Sequence, residues 1–211
     1  PKDAGELLIG MAHRRASGEP LQYLIGYQYF LNHEFDVNSS VLIPRPETEI
    51  LVYEAAQYFK RQIHQPKYGI EVGLGSGCIS IELLKLFPEL RICASEALPE
   101  AVEVAKRNAV KILGESSDRL KIFTTTEPSQ VLDVFQGKLK NKVSFIVSNP
   151  PYLASKTELD ADVMNHEPHI ALFAPENDPL YFYREIAEHA DEFLEPGGMV
   201  FLECPHERID A

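Results

Sequence analysis

From Tyr68 onward the chain alternates short apolar runs with helical patterns, and this alternation leaves few folds open. Tyr68 to Val72, Arg91 to Ser95, Leu120 to Thr124, Val143 to Ser148 and Met199 to Glu203 read as strands. Cys78 to Leu86, Pro99 to Leu113, Ser129 to Phe135 and Leu180 to Phe193 read as helices between them. A strand that is followed by a helix and then another strand pairs in parallel, because the helix carries the chain back across the sheet. The expectation is an α/β fold with a doubly wound, mainly parallel sheet. If the order is the usual 3-2-1-4-5, the first and fourth strands are neighbours, and the loops leaving them border one crevice.

The segment before the alternation has a different character. Asp3 to Ser17 is patterned as an amphipathic helix and ends at Gly18-Glu19-Pro20. Leu21 to Phe30 and Glu34 to Val37 are rich in aromatic and β-branched residues and predict a small hairpin. Leu42 to Glu49 holds two prolines and reads as a stiff loop feeding a helix from about Thr48 to Gln62. Ala154 to Pro179 is long, acidic and irregular, with a short helix expected over Leu159 to Met164; loops of that length in a compact domain are usually functional.

Asn149-Pro150-Pro151-Tyr152 follows the fourth strand directly. Two prolines remove two N–H donors and stiffen the turn, and the residue before a proline is pushed toward an extended conformation. The motif therefore offers an amide side chain, bare carbonyls and an aromatic face, groups suited to gripping a planar NH2. After the first strand comes Glu71-Val72-Gly73-Leu74-Gly75-Ser76-Gly77, with a helix behind it. Glycines there let backbone N–H groups approach a ligand at a helix N-terminus. Cys78 stands where the dinucleotide fingerprint has its third glycine, which favours a nucleoside ligand without a pyrophosphate. Glu96, nineteen positions after Gly77, is placed to hold ribose hydroxyls. S-adenosylmethionine fits this set, with Glu71 near its methionine end.

Charge and cysteine content narrow the setting. A net charge of −12 argues against a large phosphate-tracking surface, and so against direct DNA binding. Three widely spaced cysteines make no disulfide framework, and a reducing cytoplasm is the expected location. No apolar run approaches the roughly 20 residues of a membrane helix, so no membrane partner is expected. His166-x-x-His169 contains Pro168, which disfavours the helix that would align two imidazoles, and no metal is expected.

Gly18 to Gly26, Leu42 to Glu49, Gly73 to Gly77 and Asn149 to Tyr152 occur in the order found in the HemK/PrmC family, which this chain resembles from about Glu6 to Glu203. The resemblance implies a Rossmann-like class I methyltransferase sheet and transfer of methyl from S-adenosylmethionine to the side-chain amide of a glutamine. In that family the glutamine lies in the Gly-Gly-Gln motif of a peptide-chain release factor, the implied protein partner. The implied cofactor contacts are Glu71, Gly73, Leu74, Gly75, Ser76, Gly77, Glu96, Thr126, Glu127 and Asn149. The implied substrate contacts are Asn149, Pro150, Pro151 and Tyr152, with Asn149, Pro150 and Tyr152 in the catalytic role. Residues 1–46 are expected to be the remnant of a substrate-recognition domain. Residues 47–211 are expected to be a methyltransferase domain that is truncated at its C-terminus. Glu71 and Leu74 stand where the family usually has Asp and Thr, and Glu203 is followed by Cys204-Pro205 rather than by the usual glycine two positions on. The alternatives are an adenine-N6 nucleic-acid methyltransferase, which needs the same kind of asparagine, and a degenerate methyltransferase fold that only binds a partner.

Overall fold

The computed structural model describes residues 2–125, 131–139, 142–154 and 161–205. The N-terminal part comprises helix α1 (Lys2–Ala16), a short helix α2 (Leu21–Ile25) and an antiparallel hairpin of β1 (Tyr27–Phe30) and β2 (His33–Asp36). The first predicted hairpin arm, Leu21 to Phe30, is thus divided. The Pro20 carbonyl accepts the N–H groups of Tyr23 and Leu24, which starts a helical turn. Gly26, at φ +86, closes it by donating to the Gln22 carbonyl, a left-handed cap. The strand begins only after that glycine.

The α/β part follows: α3 (Pro46–Lys60), β3 (Tyr68–Val72), α4 (Cys78–Leu86), β4 (Arg91–Glu96), α5 (Pro99–Leu113), β5 (Leu120–Thr124), β6 (Val143–Ser148), α6 (Ala161–His166), α7 (Tyr181–Phe193) and β7 (Leu194–Leu202). The sheet is parallel throughout, in the order β5-β4-β3-β6-β7. This is the expected 3-2-1-4-5 order, and the chain reverses direction across the sheet between β3 and β6. Helices α3 and α5 each begin with a proline at the first turn and a glutamate beside it, which suits a helix start both sterically and electrostatically.

Beyond shifts of one or two residues, three later elements differ from the sequence reading. The last strand starts at Leu194 rather than Met199, because α7 runs into it with no separate loop. Of the helix expected over Ser129 to Phe135, the described part holds a single 3-10 turn, Asp133–Phe135. The described part of the short helix expected over Leu159 to Met164 belongs to α6, which runs on to His166.

The two faces of the sheet bury separate apolar layers. On one, Leu51, Val52, Ala55 and Phe59 of α3 meet Ile81, Leu83 and Leu84 of α4 and Phe145 and Val147 of β6. On the other, Ile70 and Val72 of β3 and Ile146 of β6 meet Phe182, Ile186 and Phe193 of α7. Each fully buried side chain of this size contributes about 1.5–3 kcal/mol. Gly69 shows how tight the first layer is. A Cβ there would lie 2.3 Å from the tip of the Phe145 ring. The hairpin docks on the same side through Phe30 and Phe35, both fully buried. His33 Nδ1 lies 2.6 Å from Glu82 of α4, and Lys111 of α5 reaches both Glu34 and Asp36 at 2.7 Å. Among the described residues no helix is long and apolar enough to cross a membrane.

Candidate active site

The chain leaves β3 at Val72 and enters α4 through the glycine loop. Gly73, Gly75 and Gly77 have φ of +75, +55 and +83, a region that residues with a Cβ rarely adopt. The three glycines serve different ends. A Cβ on Gly73 or Gly75 would meet no heavy atom within 4 Å, so both border open space. A Cβ on Gly77 would press on Ile81 and Ala105, at 3.0 and 3.4 Å. Gly77 therefore lets α4 and α5 approach, and it does not line the cleft, unlike Gly73, Leu74, Gly75 and Ser76.

The loop is tied to the end of β4. Gly73 and Leu74 donate their N–H groups to the Ser95 carbonyl at 3.1 and 3.0 Å. Gly75 donates to Glu96 Oε2 at 2.8 Å, while Ala97 and Leu98 donate to Glu96 Oε1 at 2.8 and 2.9 Å. Three backbone donors thus hold the Glu96 carboxyl group at the cleft wall. Asn108 of α5, fully buried, braces the loop from below. Its Nδ2 donates to the carbonyls of Ser76 and Asp36, and its Oδ1 accepts the Asp36 N–H.

Glu71 is buried beneath the loop at 1% exposure and reaches the cleft. Its Oε2 accepts the Ser80 N–H at 3.0 Å and the Ser80 hydroxyl as well. Its Oε1 has no partner among the described residues. Burial pushes the carboxyl up to about 8, opposed by the Ser80 hydrogen bonds and reinforced by the nearby Glu96 charge. A buried polar atom without a partner costs about 1–3 kcal/mol, so a donor or cation placed here would be well received.

Across the sheet reversal, β6 ends at Ser148, whose hydroxyl donates to the Val72 carbonyl at 2.7 Å and ties the two strand ends together. Asn149, Pro150 and Pro151 line the same cleft as the glycine loop. Tyr152 does not line it and lies instead within electrostatic range of Tyr183 on α7. Asn149 Nδ2 donates to Thr48 Oγ1 at 3.0 Å, and Thr48 donates to Glu203 Oε2 at 2.7 Å.

The third wall is the Pro-rich loop before α3. Arg45 pairs with Glu167, which is buried and also accepts the Ile43 N–H at 3.2 Å. This pairing braces the segment after the Asn-Pro-Pro-Tyr turn against the Pro-rich loop. Thr126 and Glu127 lie outside the described residues.

The resulting cleft opens at the carboxyl ends of β3, β4 and β6 and has about 910 Å3 of empty space, counting its mouth. Its apolar lining includes Leu42, Leu74, Ile79, Leu98 and Val131. Its polar lining includes Glu71, Glu96, Arg45, Thr48 and Asn149. That is the usual form of a small-molecule site, apolar walls with a few placed polar groups. The open cradle at Gly73 and Gly75 and the unpartnered Glu71 oxygen suit a nucleoside ligand with a cationic tail. Sequence reasoning assigned no role to Thr48, Asn108 or Ser95. Asn108 alone left a signal, a polar residue on the apolar stripe that α5 makes with Ala101, Val104 and Ala105.

The family model of the methyltransferase small domain matches residues 47–166. A bifunctional methyltransferase of Rickettsia bellii is 39% identical over 231 residues, covering 97% of this chain and 40% of that protein. The release factor glutamine methyltransferase of Bacteroides thetaiotaomicron is 38% identical over 199 residues, covering 93% of this chain and 66% of that protein. The chain therefore spans two fifths of the length of one relative and just under two thirds of the other. Among solved structures, the hMettl16 catalytic domain in complex with the MAT2A 3′UTR hairpin 1 aligns with a TM-score of 0.55 at 18% identity, over 84% of this chain and 71% of that one. At that identity the likeness speaks for the fold.

Proposed function

Because the chain belongs to the methyltransferase small-domain family, in its HemK/PrmC branch, we propose that it methylates the side-chain amide nitrogen of a glutamine in a protein. The donor is S-adenosylmethionine, and the substrate is a peptide-chain release factor bearing the Gly-Gly-Gln motif. One observation carries this reading: Asn149 and the glycine loop, far apart in the chain, line a single cleft.

Bound S-adenosylmethionine supplies a methyl group on a positively charged sulfur, already a strong electrophile. The residues have mainly to hold, align and exclude water. Gly73 and Gly75 leave open space for the methyl donor against the backbone, and Gly77 sets the loop against α5. Glu96 accepts the ribose hydroxyls, and Glu71 lies at the methionine end. Thr126 and Glu127 complete the donor contacts on the sequence expectation. An amide nitrogen is a poor nucleophile, since its lone pair is shared with the carbonyl. Asn149 Oδ1 and the Pro150 carbonyl each accept one N–H of the substrate amide. They orient the nitrogen and stabilise the positive charge that develops on it as the N–C bond forms and the S–C bond breaks, leaving the uncharged thioether, with the proton passing to solvent as the products leave. Pro151 stiffens the turn, and Tyr152 lies off the cleft wall near Tyr183. Residues 1–46 contribute to recognition of the protein substrate.

The test is a transfer assay with radiolabelled S-adenosylmethionine, a release factor, its Gln→Ala variant in the Gly-Gly-Gln motif, and duplex DNA. Label on the wild-type factor alone is expected. Label on DNA would replace this reading with base methylation. No label on any of them, with cofactor binding demonstrated, would remove the release factor as substrate.

A further inference from the structure

We propose that Thr48 and Glu203 are positioning residues that decide which end of the Asn149 amide faces the cleft, and so make the site select a primary amide over a carboxylate. The inference rests on the glutamine-methylation reading and deepens it.

The hydrogen-bond directions form a chain with one solution. Glu203 follows β7 directly; its N–H donates to the Ser148 carbonyl at 3.0 Å, and its own carbonyl accepts the Tyr183 hydroxyl at 2.9 Å. The backbone on both sides of the carboxylate is therefore anchored to β6 and α7. A carboxylate only accepts. Thr48, 3% exposed, has one hydroxyl proton and gives it to Glu203 Oε2 at 2.7 Å. The Thr48 oxygen can then only accept, and it takes a hydrogen from Asn149 Nδ2 at 3.0 Å. The Asn149 side chain also lies near enough to Glu203 to favour its charged form. An accepting Thr48 oxygen demands the NH2 end, which leaves Oδ1 to the cleft.

That assignment has a chemical consequence. The prolines at 150 and 151 carry no N–H, so with Oδ1 toward the substrate this wall offers acceptors. A glutamine NH2 has two hydrogens to give them. A glutamate carboxylate would set lone pairs against lone pairs, and a site built for N–H donors strongly disfavours a partner that has none. An amide turned the other way would reverse the preference. Asn149 cannot choose by itself, because its two ends are nearly the same size; Thr48 and Glu203 choose for it.

The chain can be run backward only if Glu203 carries a proton. Burial raises the Glu203 carboxyl, and Glu47 adds to the rise, while Thr48, Asn149 and Arg45 oppose it. The neighbours that face it are Glu47 and Arg45 from the start of α3 and Tyr183 from α7. Protonated Glu203 can donate to Thr48, which can then donate to Asn149 Oδ1. Activity should therefore be present above the Glu203 titration and be lost as pH falls through it, at a pH above the ordinary glutamate value.

The experiment compares the parent with Thr48→Val, Thr48→Ser and Glu203→Gln. Calorimetry with S-adenosylhomocysteine, melting temperature, steady-state kinetics on the release factor and the 15N NMR signal of the Asn149 side-chain NH2 are followed together. Thr48→Val is expected to keep fold and cofactor affinity, to lose on the order of 10–100-fold in kcat/KM, and to speed exchange of the Asn149 NH2 protons. Thr48→Ser should restore both. Glu203→Gln should abolish the acid limb of the pH profile. Thr48→Val with parental turnover and unaltered NH2 exchange would overturn the proposal. If Thr48→Val melts early, Thr48→Ser and Glu203→Gln decide it by the same NMR readout. Failure of the glutamine reading is separable, since a parent that labels no release factor would still show or lack the protected NH2 signal.

Discussion

The two loops that face each other across the sheet reversal are built by different means. The glycine loop is a local object. Its conformation comes from three positive-φ glycines, and its anchors, Ser80, Ser95 and Glu96, are all within about 25 residues of Gly73. The Asn-Pro-Pro-Tyr turn is local only in its stiffness. What Asn149 does depends on Thr48, 101 positions earlier, and on Glu203 beyond the last strand. On the function proposed, the donor-binding half is carried by one short segment, whereas the substrate half needs the sheet closed around it. Damage should divide accordingly, with affinity for the cofactor on one side and turnover on the other.

The largest effect should test that division most directly. Asn149→Ala is expected to cut methyl transfer on the order of 10²–10³-fold while leaving cofactor affinity nearly unchanged. Parallel rates and calorimetry check it, and an equal loss in both would merge the two halves. Glu96→Ala is the mirror image. It removes the acceptor for Gly75, Ala97 and Leu98 and the expected ribose contact, so cofactor affinity should fall about 10–100-fold, given roughly 1.5–3 kcal/mol for hydrogen bonds to a charged group. Cofactor titration that shows parental affinity would take Glu96 out of the site.

Asn108→Ala asks whether the glycine loop is as local as it looks. Asn108 is a distant brace, and its loss leaves the buried Ser76 carbonyl and the part-buried Asp36 carbonyl without this partner, at a cost of about 1–3 kcal/mol. Denaturant unfolding should show that loss, with a smaller drop in cofactor affinity than Glu96→Ala gives. The smallest effect belongs to Glu71→Gln. Glu71 binds its proton more tightly in the folded protein than in the unfolded chain. Its contribution is thus complete below its ordinary value of 4.5 and is lost as pH rises toward about 8. The variant should melt like the parent near pH 5 and higher than the parent near pH 8, by about 2–4 °C per kcal/mol recovered.

Much of the fold was legible because its signals are short-range. The apolar runs at Tyr68–Val72 and Val143–Ser148 became β3 and β6 with the expected ends. Leu21 to Phe30 misled because the residues of Leu21–Ile25 suit either state, and the Gly26 cap decided for a helix. Within the cleft, Gly73, Gly75, Glu96 and Asn149 could be picked out from motif spacing. Tyr152 and Gly77 belong to the same motifs yet stand off the cleft wall, Gly77 because it packs against Ile81 and Ala105.

The sequence by itself determined the alternation of strands and helices, the positive-φ turns at Gly73, Gly75 and Gly77, and the rigid turn at Pro150-Pro151. Each follows from sterics and apolar periodicity acting over a few residues. Only the tertiary structure decided that Glu167 braces Arg45, that Asn108 supports the glycine loop, and that Thr48 and Glu203 meet at Asn149. Those contacts join residues that a linear chain keeps far apart. Hydrogen bonds of this kind gain their strength and their direction only once burial has removed the water that would otherwise satisfy each partner.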